Sequence, residues 1–150
     1  RENLSARRIM GDDLLAAAKR INLRYAHLYT GVPETQAQAN TQWERLDAFT
    51  RGSNISSADY HEIRLRMLSN LGAKPDGTGL TEAQRESLAE LEHIRWCRYH
   101  WLNNWRYGVP ENGKAKDAEQ RIHVDLIPYQ ELTDPEKQKD RDTVEVMLGL

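Results

Sequence analysis

The sequence has little cysteine, no long hydrophobic run and no excess of charge of either sign. Its single cysteine, Cys97, excludes an internal disulfide, and an unpaired thiol is more typical of a reducing cytoplasm than of a secreted protein. The longest useful apolar run, residues 14–18, is far shorter than the roughly 20 residues of a membrane helix. We therefore expect a cytoplasmic segment that makes no direct membrane contact.

The charge of the chain is nearly balanced. Its 150 residues contain 21 Lys and Arg against 23 Asp and Glu, which gives a net charge of −2. Because no general positive field would attract a phosphate backbone, we expect no nucleic-acid partner. The length fits one domain or two small halves that share a core. Arg1 is not an initiator methionine, so we expect the segment to be cut from a longer protein.

Hydrophobic periodicity and capping signals predict a mainly α protein with two helices on either side of a linker. The predicted helices span residues 12–29, 56–71, 82–103 and 133–148. Residues 34–42 are predicted to form a loop and residues 43–49 a short turn or helix. Residues 73–80, rich in Gly and Pro, are the predicted linker. Strand propensity is confined to residues 122–127, and a short hairpin could lie within residues 107–123.

Two segments of the first half recur in the second half. Tyr25 aligns with Trp96 at a shift of 71 residues, and the Trp-x-x-Leu of residues 43–46 aligns with the Tyr-x-x-Leu of residues 129–132. Chance similarity is one explanation, but two matching segments in the same order favour a duplication. Duplicated halves usually pack about a pseudo-twofold axis, which would place equivalent residues across a shared groove.

A stripe of aromatic and polar side chains lies on one face of the helix predicted over residues 82–103. His93, Trp96 and His100 fall within roughly 60° of one another on a helix. The matching stripe of the first half is Asn22, Tyr25 and Tyr29. Such rings are either core aromatics with a polar tip or a stacking platform for a flat ligand such as a base.

Cations are concentrated beside this stripe and at the start of the last helix. Arg98 follows Trp96 closely, Lys137 lies in the first turn of the last helix, and Arg51 occupies the matching place in the first half. Because a helix N-terminus is positive, Lys and Arg at that end suit an anion such as phosphate. Alternatively, neighbouring carboxylates simply balance these charges.

The sequence contains no recognised catalytic or metal-binding motif. Cys97 lies in mid-helix among bulky residues, where a buried structural thiol is usual. His93 and His100 are seven residues apart rather than four, and no second cysteine could complete a thiolate site. We expect no metal and no cofactor, and an enzyme acting on nucleotides is the weakest functional hypothesis.

Four sequence blocks follow one another in the second half. They are residues 88–96, with Glu-His-Ile-Arg-Trp; 105–108, Trp-Arg-Tyr-Gly; 123–132, His-Val-Asp-Leu-Ile-Pro-Tyr-Gln-Glu-Leu; and 136–141, Glu-Lys-Gln-Lys-Asp-Arg. In this order and spacing they resemble the RyR domain, the repeat named after ryanodine-receptor calcium channels and also found in bacterial and phage proteins. Val124 replaces the usual proline. Residues 12–72 resemble a degenerate copy without the Trp-x-Tyr-Gly and His-Pro blocks.

The resemblance implies a tandem module of two pseudo-twofold-related repeats, each of two helices with short β pieces, that binds rather than catalyses. It implies a nucleotide-like, adenine-containing small molecule in the cleft between the repeats and a regulatory role toward a fused effector or channel-type domain. The implied ligand-binding residues are Tyr25, Tyr29, Asn54, Trp96, His100, His123 and Asp140, with Arg51, Arg98 and Lys137 as weaker phosphate candidates. The alternative is a protein–protein interaction or assembly module without a small-molecule ligand.

The remaining large apolar residues of these blocks are expected to form buried scaffold. They are Trp105, Tyr107, Pro128, Tyr129 and Leu132 in the second half, with Trp43 and Leu46 in the first.

Overall fold

The computed structural model describes residues 11–149 and is mainly helical. The first helices are α1 (Asp12–Thr30), α2 (Gln36–Glu44), α3 (Ala48–Asp59) and α4 (His61–Asn70). They are followed by α5 (Glu82–Leu102), the strands β1 (Arg106–Tyr107), β2 (Lys116–Asp117) and β3 (Ile122–His123), a 3-10 turn (Tyr129–Glu131) and α6 (Asp134–Leu148). The expected mainly α class with short β pieces is confirmed. No helix among residues 11–149 is long and apolar enough to span a membrane.

The chain divides into two compact units. The first comprises the residues up to Gly79 together with those from Val146 onward, and the second comprises Leu80–Glu145. The division after Gly79 falls within residues 73–80. The pseudo-twofold relation between two repeats stays a prediction.

The first unit contains more helices than the sequence predicted. Residues 36–44 form α2 rather than a loop, because Thr35 Oγ1 accepts a hydrogen bond from the Gln38 amide and Gln and Ala favour helix. The helix predicted from residue 56 begins at Ala48, where the Asp47 carboxylate accepts the Thr50 amide at 2.7 Å. It is divided at Tyr60 into α3 and α4. The prediction of two helices in this half is therefore wrong.

The core of the first unit forms around α1, which packs against α2 and α3. Its buried residues are Ala18, Ile21, Trp43, Ala58, Val146 and Met147. The predicted burial of Trp43 is confirmed, whereas Leu46 is only partly buried against this core.

The second unit begins with α5, whose N-terminus carries the predicted capping box. Thr81 Oγ1 accepts the Gln84 amide, and the Gln84 side chain accepts the Thr81 amide. After α5, Asn104 has a positive φ of 63°, and the chain turns into β1. The three strands form one small sheet in the order β1-β3-β2, with β1 parallel and β2 antiparallel to β3.

Gly108 allows the chain after β1 to pass close to β3. A Cβ atom at this position would lie 2.9 Å from Ile122 Cβ, which is too short for a real contact. Because Ile122 is itself buried, there is little room for it to move. The glycine of the Trp-Arg-Tyr-Gly block is therefore required by packing against Ile122.

The prediction of buried scaffold residues in the second unit is correct for three of the five residues. Trp105, Tyr129 and Leu132 are buried, but Tyr107 is 56% exposed and Pro128 is also exposed. Tyr107 lies in the edge strand of a sheet whose strands have two residues each, which is too small to cover a large ring. Pro128 precedes the 3-10 turn at the surface. The predicted burial of these two residues is wrong.

Trp105→Ala should lower the free energy of unfolding by about 3–5 kcal/mol, because the substitution leaves a cavity in the second unit. Trp101→Ala is the matched control, since Trp101 is 53% exposed, and should change stability by about 0.5 kcal/mol or less. Urea unfolding followed by circular dichroism measures both. A loss below about 1 kcal/mol for Trp105→Ala would contradict the assignment.

Candidate ligand-binding site

A buried ion pair joins α5 to α6 in the second unit. His93 is 3% exposed, and its Nδ1 lies 3.2 Å from Asp140 Oδ2. Its Nε2 lies 2.8 Å from the carbonyl oxygen of Ile127. Since both ring nitrogens face oxygen acceptors, the ring is a doubly protonated imidazolium that donates to each.

The electrostatics of this pair favour the charged histidine. Burial by itself lowers the pKa of His93, but the hydrogen bonds to Asp140, Cys97 and Ile127 outweigh it and raise the pKa to about 10. Burial raises the pKa of the Asp140 carboxyl, and the imidazolium beside it opposes that shift. Asp140, a predicted ligand residue, therefore balances the charge of His93.

Trp96 lies at the centre of a cluster of rings. The His93 ring stacks at 20° with its centroid 5.7 Å away, and the His100 ring lies 3.9 Å away. His123 from β3 meets the indole edge-on at 4.9 Å, and Trp105 contacts His100 at 5.3 Å. The structure thus brings three of the predicted ligand residues, Trp96, His100 and His123, into mutual contact.

His100 and His123 are neutral, in contrast to His93. Burial, reinforced by nearby cations, lowers the pKa of each to about 4. His100 Nδ1 lies 2.9 Å from the Trp96 carbonyl oxygen, so its proton resides on Nδ1. His123 Nδ1 accepts the Asp125 amide at 3.1 Å, so its proton resides on Nε2.

The ring edges of Trp96 and His123 carry donors that no described residue satisfies. Neither Trp96 Nε1 nor His123 Nε2 hydrogen-bonds to residues 11–149, and the one unpartnered buried side-chain nitrogen or oxygen in that range is His61 Nδ1. Trp96 and His123 are both only partly buried. It follows that both donors are accessible to solvent.

Two carboxyl groups next to His123 influence each other's protonation. Burial and a hydrogen bond to Glu136 raise the pKa of Asp125 to about 6. Burial would also raise the pKa of Glu136, but Lys139, 2.7 Å away, and Asp125 lower it. Asp125 is therefore the first of the two to be protonated as the pH falls through about 6. No group of His, Cys, Asp and Glu within residues 11–149 has the geometry of a metal site.

A second polar network ties the 3-10 turn to both long helices. The Tyr129 hydroxyl donates to Glu86 Oε1 at 2.8 Å, and Arg141 donates to both Glu86 oxygens at 2.8 and 2.9 Å. Arg141 lowers the pKa of Glu86 to about 2, with burial acting in the opposite direction. Arg141 thereby holds the scaffold ring of Tyr129 in place.

The other predicted residues of the second unit lie apart from the ring cluster or at its margin. Lys137 Nζ lies 5.5 Å from the centroid of the Tyr129 ring and 3.4 Å from the Gln130 carbonyl oxygen. Arg98 is exposed on α5. By helix geometry its direction differs from that of His93 and His100 by more than a right angle.

The predicted residues of the first unit form no comparable cluster. Tyr25 and Tyr29 stack with centroids 6.2 Å apart, but Tyr29 is 54% exposed. Arg51 donates to the carbonyl oxygens of Trp43 and Glu44 at the end of α2, and Asn54 donates to that of Thr50. Arg51 and Asn54 are thus engaged with the backbone of their own unit.

Sequence reasoning missed the roles of His93, Asp125 and Glu86. The helix stripe includes His93 but does not indicate that it forms an ion pair. The one sequence signal for a special role of His93 is its place in the Glu-His-Ile-Arg-Trp block. Neither the partner Asp140 nor the partner of Asp125 can be read from spacing, because each contact joins elements distant in sequence.

The family model of the RyR domain matches residues 79–150. The matched segment covers just under half of the chain and is similar to the RyR domain. It contains the ring cluster and the polar networks described above. The first half of the chain lies outside the match, so its interpretation as a degenerate RyR repeat stays a prediction. Comparisons with curated proteins and with solved structures gave no significant match.

The buried pair of His93 and Asp140 predicts that the protein loses stability as the pH becomes alkaline. The folded pKa of His93 is raised above its unfolded value of 6.5, so its contribution is complete below pH 6.5 and disappears as the pH rises toward 10. Proton NMR of the His93 ring should show no titration below about pH 9. Asp140→Asn, which leaves a buried charge unpaired, should cost about 3–5 kcal/mol at pH 7. A His93 titration near pH 6.5 would contradict the ion pair.

The neutral histidines predict an acid loss of stability. Their folded pKa values of about 4 lie below the unfolded 6.5, so the unfolded chain binds more protons as the pH falls between these values. Each histidine should lower the free energy of unfolding by up to about 1.4 kcal/mol for each pH unit in this range. Proton uptake by Asp125 in the folded state offsets part of this loss below pH 6. Urea unfolding of His123→Gln should show a shallower slope than wild type between pH 6.5 and 4.5. An unchanged slope would mean that His123 is charged in the fold.

Proposed function

We propose that the RyR segment is a sensing module that binds a flat, nucleotide-like small molecule at the ring cluster around Trp96. The observation that carries the proposal is the pair of unsatisfied donors, Trp96 Nε1 and His123 Nε2, on rings in edge contact. A ligand with hydrogen-bond acceptors and an aromatic face, such as a purine, matches this edge. The RyR resemblance, which implies an adenine nucleotide, supports the same ligand class.

The charge state of the cluster supports recognition of a neutral heterocycle. With His100 and His123 uncharged at neutral pH, the rings attract a base by hydrogen bonding and stacking rather than by charge. His93 and His100 already cover part of the Trp96 ring, so the ligand meets the exposed edge of the indole. Phosphate groups would have a secondary role, with Lys137 as the candidate nearest to Tyr129.

The most reactive groups are already hydrogen-bonded or buried, which favours binding over catalysis. Cys97 Sγ, His93 and Asp140 are aligned like a thiol–imidazole–carboxylate triad, with Sγ 3.4 Å from Nε2. However, Nε2 donates to the Ile127 carbonyl, and the thiol is 3% exposed. An imidazolium cannot act as a general base, and a buried thiol does not reach a substrate.

We infer that occupancy of the ring cluster by its ligand is transmitted to a fused effector in a longer cytoplasmic protein.

Calorimetric titration of the chain with AMP, ADP, ATP and cyclic AMP tests the ligand class. Trp96→Ala should weaken binding roughly 10- to 100-fold, because a base–aromatic contact is worth about 1–3 kcal/mol. His123→Phe, which keeps the ring and removes the donor, should weaken binding by a smaller factor. Trp101→Ala on the same helix is the matched control and should leave the dissociation constant unchanged.

Each variant is first checked by circular dichroism, and Trp96→Phe replaces Trp96→Ala if the latter does not fold. Absence of heat and of any thermal shift with every nucleotide at millimolar concentration would refute the sensor proposal. Equal affinities of the wild type and the folded Trp96 variant would refute the site.

A further inference from the structure

Four large apolar side chains are exposed where α5 ends and the small sheet begins. Trp101 is 53% exposed, Leu102 84%, Tyr107 56% and Val109 68%. We call these four residues the apolar end patch. Single exposed apolar residues are ordinary, but a group of this size at one end of an element is typical of an interaction surface.

The fold places these residues around one turn. Trp101 and Leu102 are in the last turn of α5. By helix geometry Leu102 lies on the side away from the buried His93 and His100, and Trp101 lies at about a right angle to them. The chain then reverses, with the Trp105 amide bonded to the His100 carbonyl oxygen, and enters β1 at residue 106. Tyr107 and Val109 follow this turn directly.

The same end of the unit is tied to β3 by a hydrogen bond. Arg121 donates to the carbonyl oxygen of Asn103, the residue that caps α5, at 2.9 Å. Arg121 itself has a positive φ of 52°. The helix end and the sheet are therefore linked at this point.

The segments that carry the apolar end patch hold more cations than carboxylates. The cations are Arg98, Arg106, Lys114, Lys116 and Arg121, all exposed, against the carboxylates Glu111, Asp117 and Glu119. Within residues 11–149 none of the five forms an ion pair with a carboxylate. By contrast, Arg85, Arg95, Lys139 and Arg141 of the same unit are each paired with Glu or Asp.

We propose that the apolar end patch docks an acidic, amphipathic segment of a partner protein. Its apolar side chains would pack on Leu102 and Val109, and its carboxylates would pair with cations such as Arg98. Interfaces of this kind concentrate binding energy in Trp, Tyr and Arg, which are all present here. A single-stranded nucleic acid fits less well, because the two most exposed members, Leu102 and Val109, are aliphatic and offer no stacking face.

Selection from a random dodecapeptide display library tests the partner chemistry. The wild-type chain is the bait, and the Trp101→Ser/Leu102→Ser double variant is used for counter-selection. The enriched peptides should carry net negative charge together with apolar residues at helical spacing. In fluorescence anisotropy, an enriched peptide should bind the double variant at least 10-fold more weakly than wild type, and Arg98→Glu should weaken binding and reduce its salt dependence.

Leu28→Ser is the matched control, because Leu28 is 53% exposed on α1 and should leave peptide binding unchanged. Circular dichroism checks that each variant folds, and Leu102→Ser alone replaces the double variant if that one does not. No enrichment, enriched peptides without negative charge, or equal binding by the Leu102 variant would overturn the proposal. Self-association of the wild type that the patch variant abolishes, or patch-dependent binding of oligothymidylate, would likewise overturn it. The outcome is independent of the nucleotide titrations, which probe the other face of α5.

Discussion

The second unit depends on the buried pair formed by His93 and Asp140. A buried charge is costly unless it is paired and its remaining hydrogen-bonding groups are satisfied. His93 meets both conditions, because one ring N–H faces the Asp140 carboxylate and the other the Ile127 carbonyl oxygen. These two bonds join α5, the segment before the 3-10 turn and α6.

The position of His93 determines the arrangement of the rings around it. Trp96 stacks on His93, Tyr129 lies 6.0 Å from it, and His100 and His123 close the other sides of Trp96. The three histidines of the ring cluster thus have two protonation states. The Asp140 carboxylate holds His93 charged, while burial keeps His100 and His123 neutral, although the Asp125 carboxylate lies 3.8 Å from His123 Nδ1.

The helix α5 separates two chemically different surfaces. One face contributes the neutral rings, whose exposed edges present N–H donors beside Trp96. The opposite face and the turn after Leu102 present apolar side chains among unpaired cations. A small molecule at the first surface and an acidic segment at the second would both contact α5 or the sheet attached to it. The Arg121–Asn103 bond links the end of α5 to the start of β3.

Local signals determined much of the fold and half of the candidate site. The Thr81–Gln84 capping box, the stop of α1 after Thr30 and the stripe of Trp96 and His100 are short-range patterns, and the structure contains each of them. Tertiary structure decided what depends on distant partners: α2, whose polar sequence has no clear apolar face, the exposure of Tyr107 on an edge strand, and the charge state of each histidine. Helix spacing shows which side chains share a face, but a pKa depends on burial and on partners such as Asp140 that only the folded chain brings close.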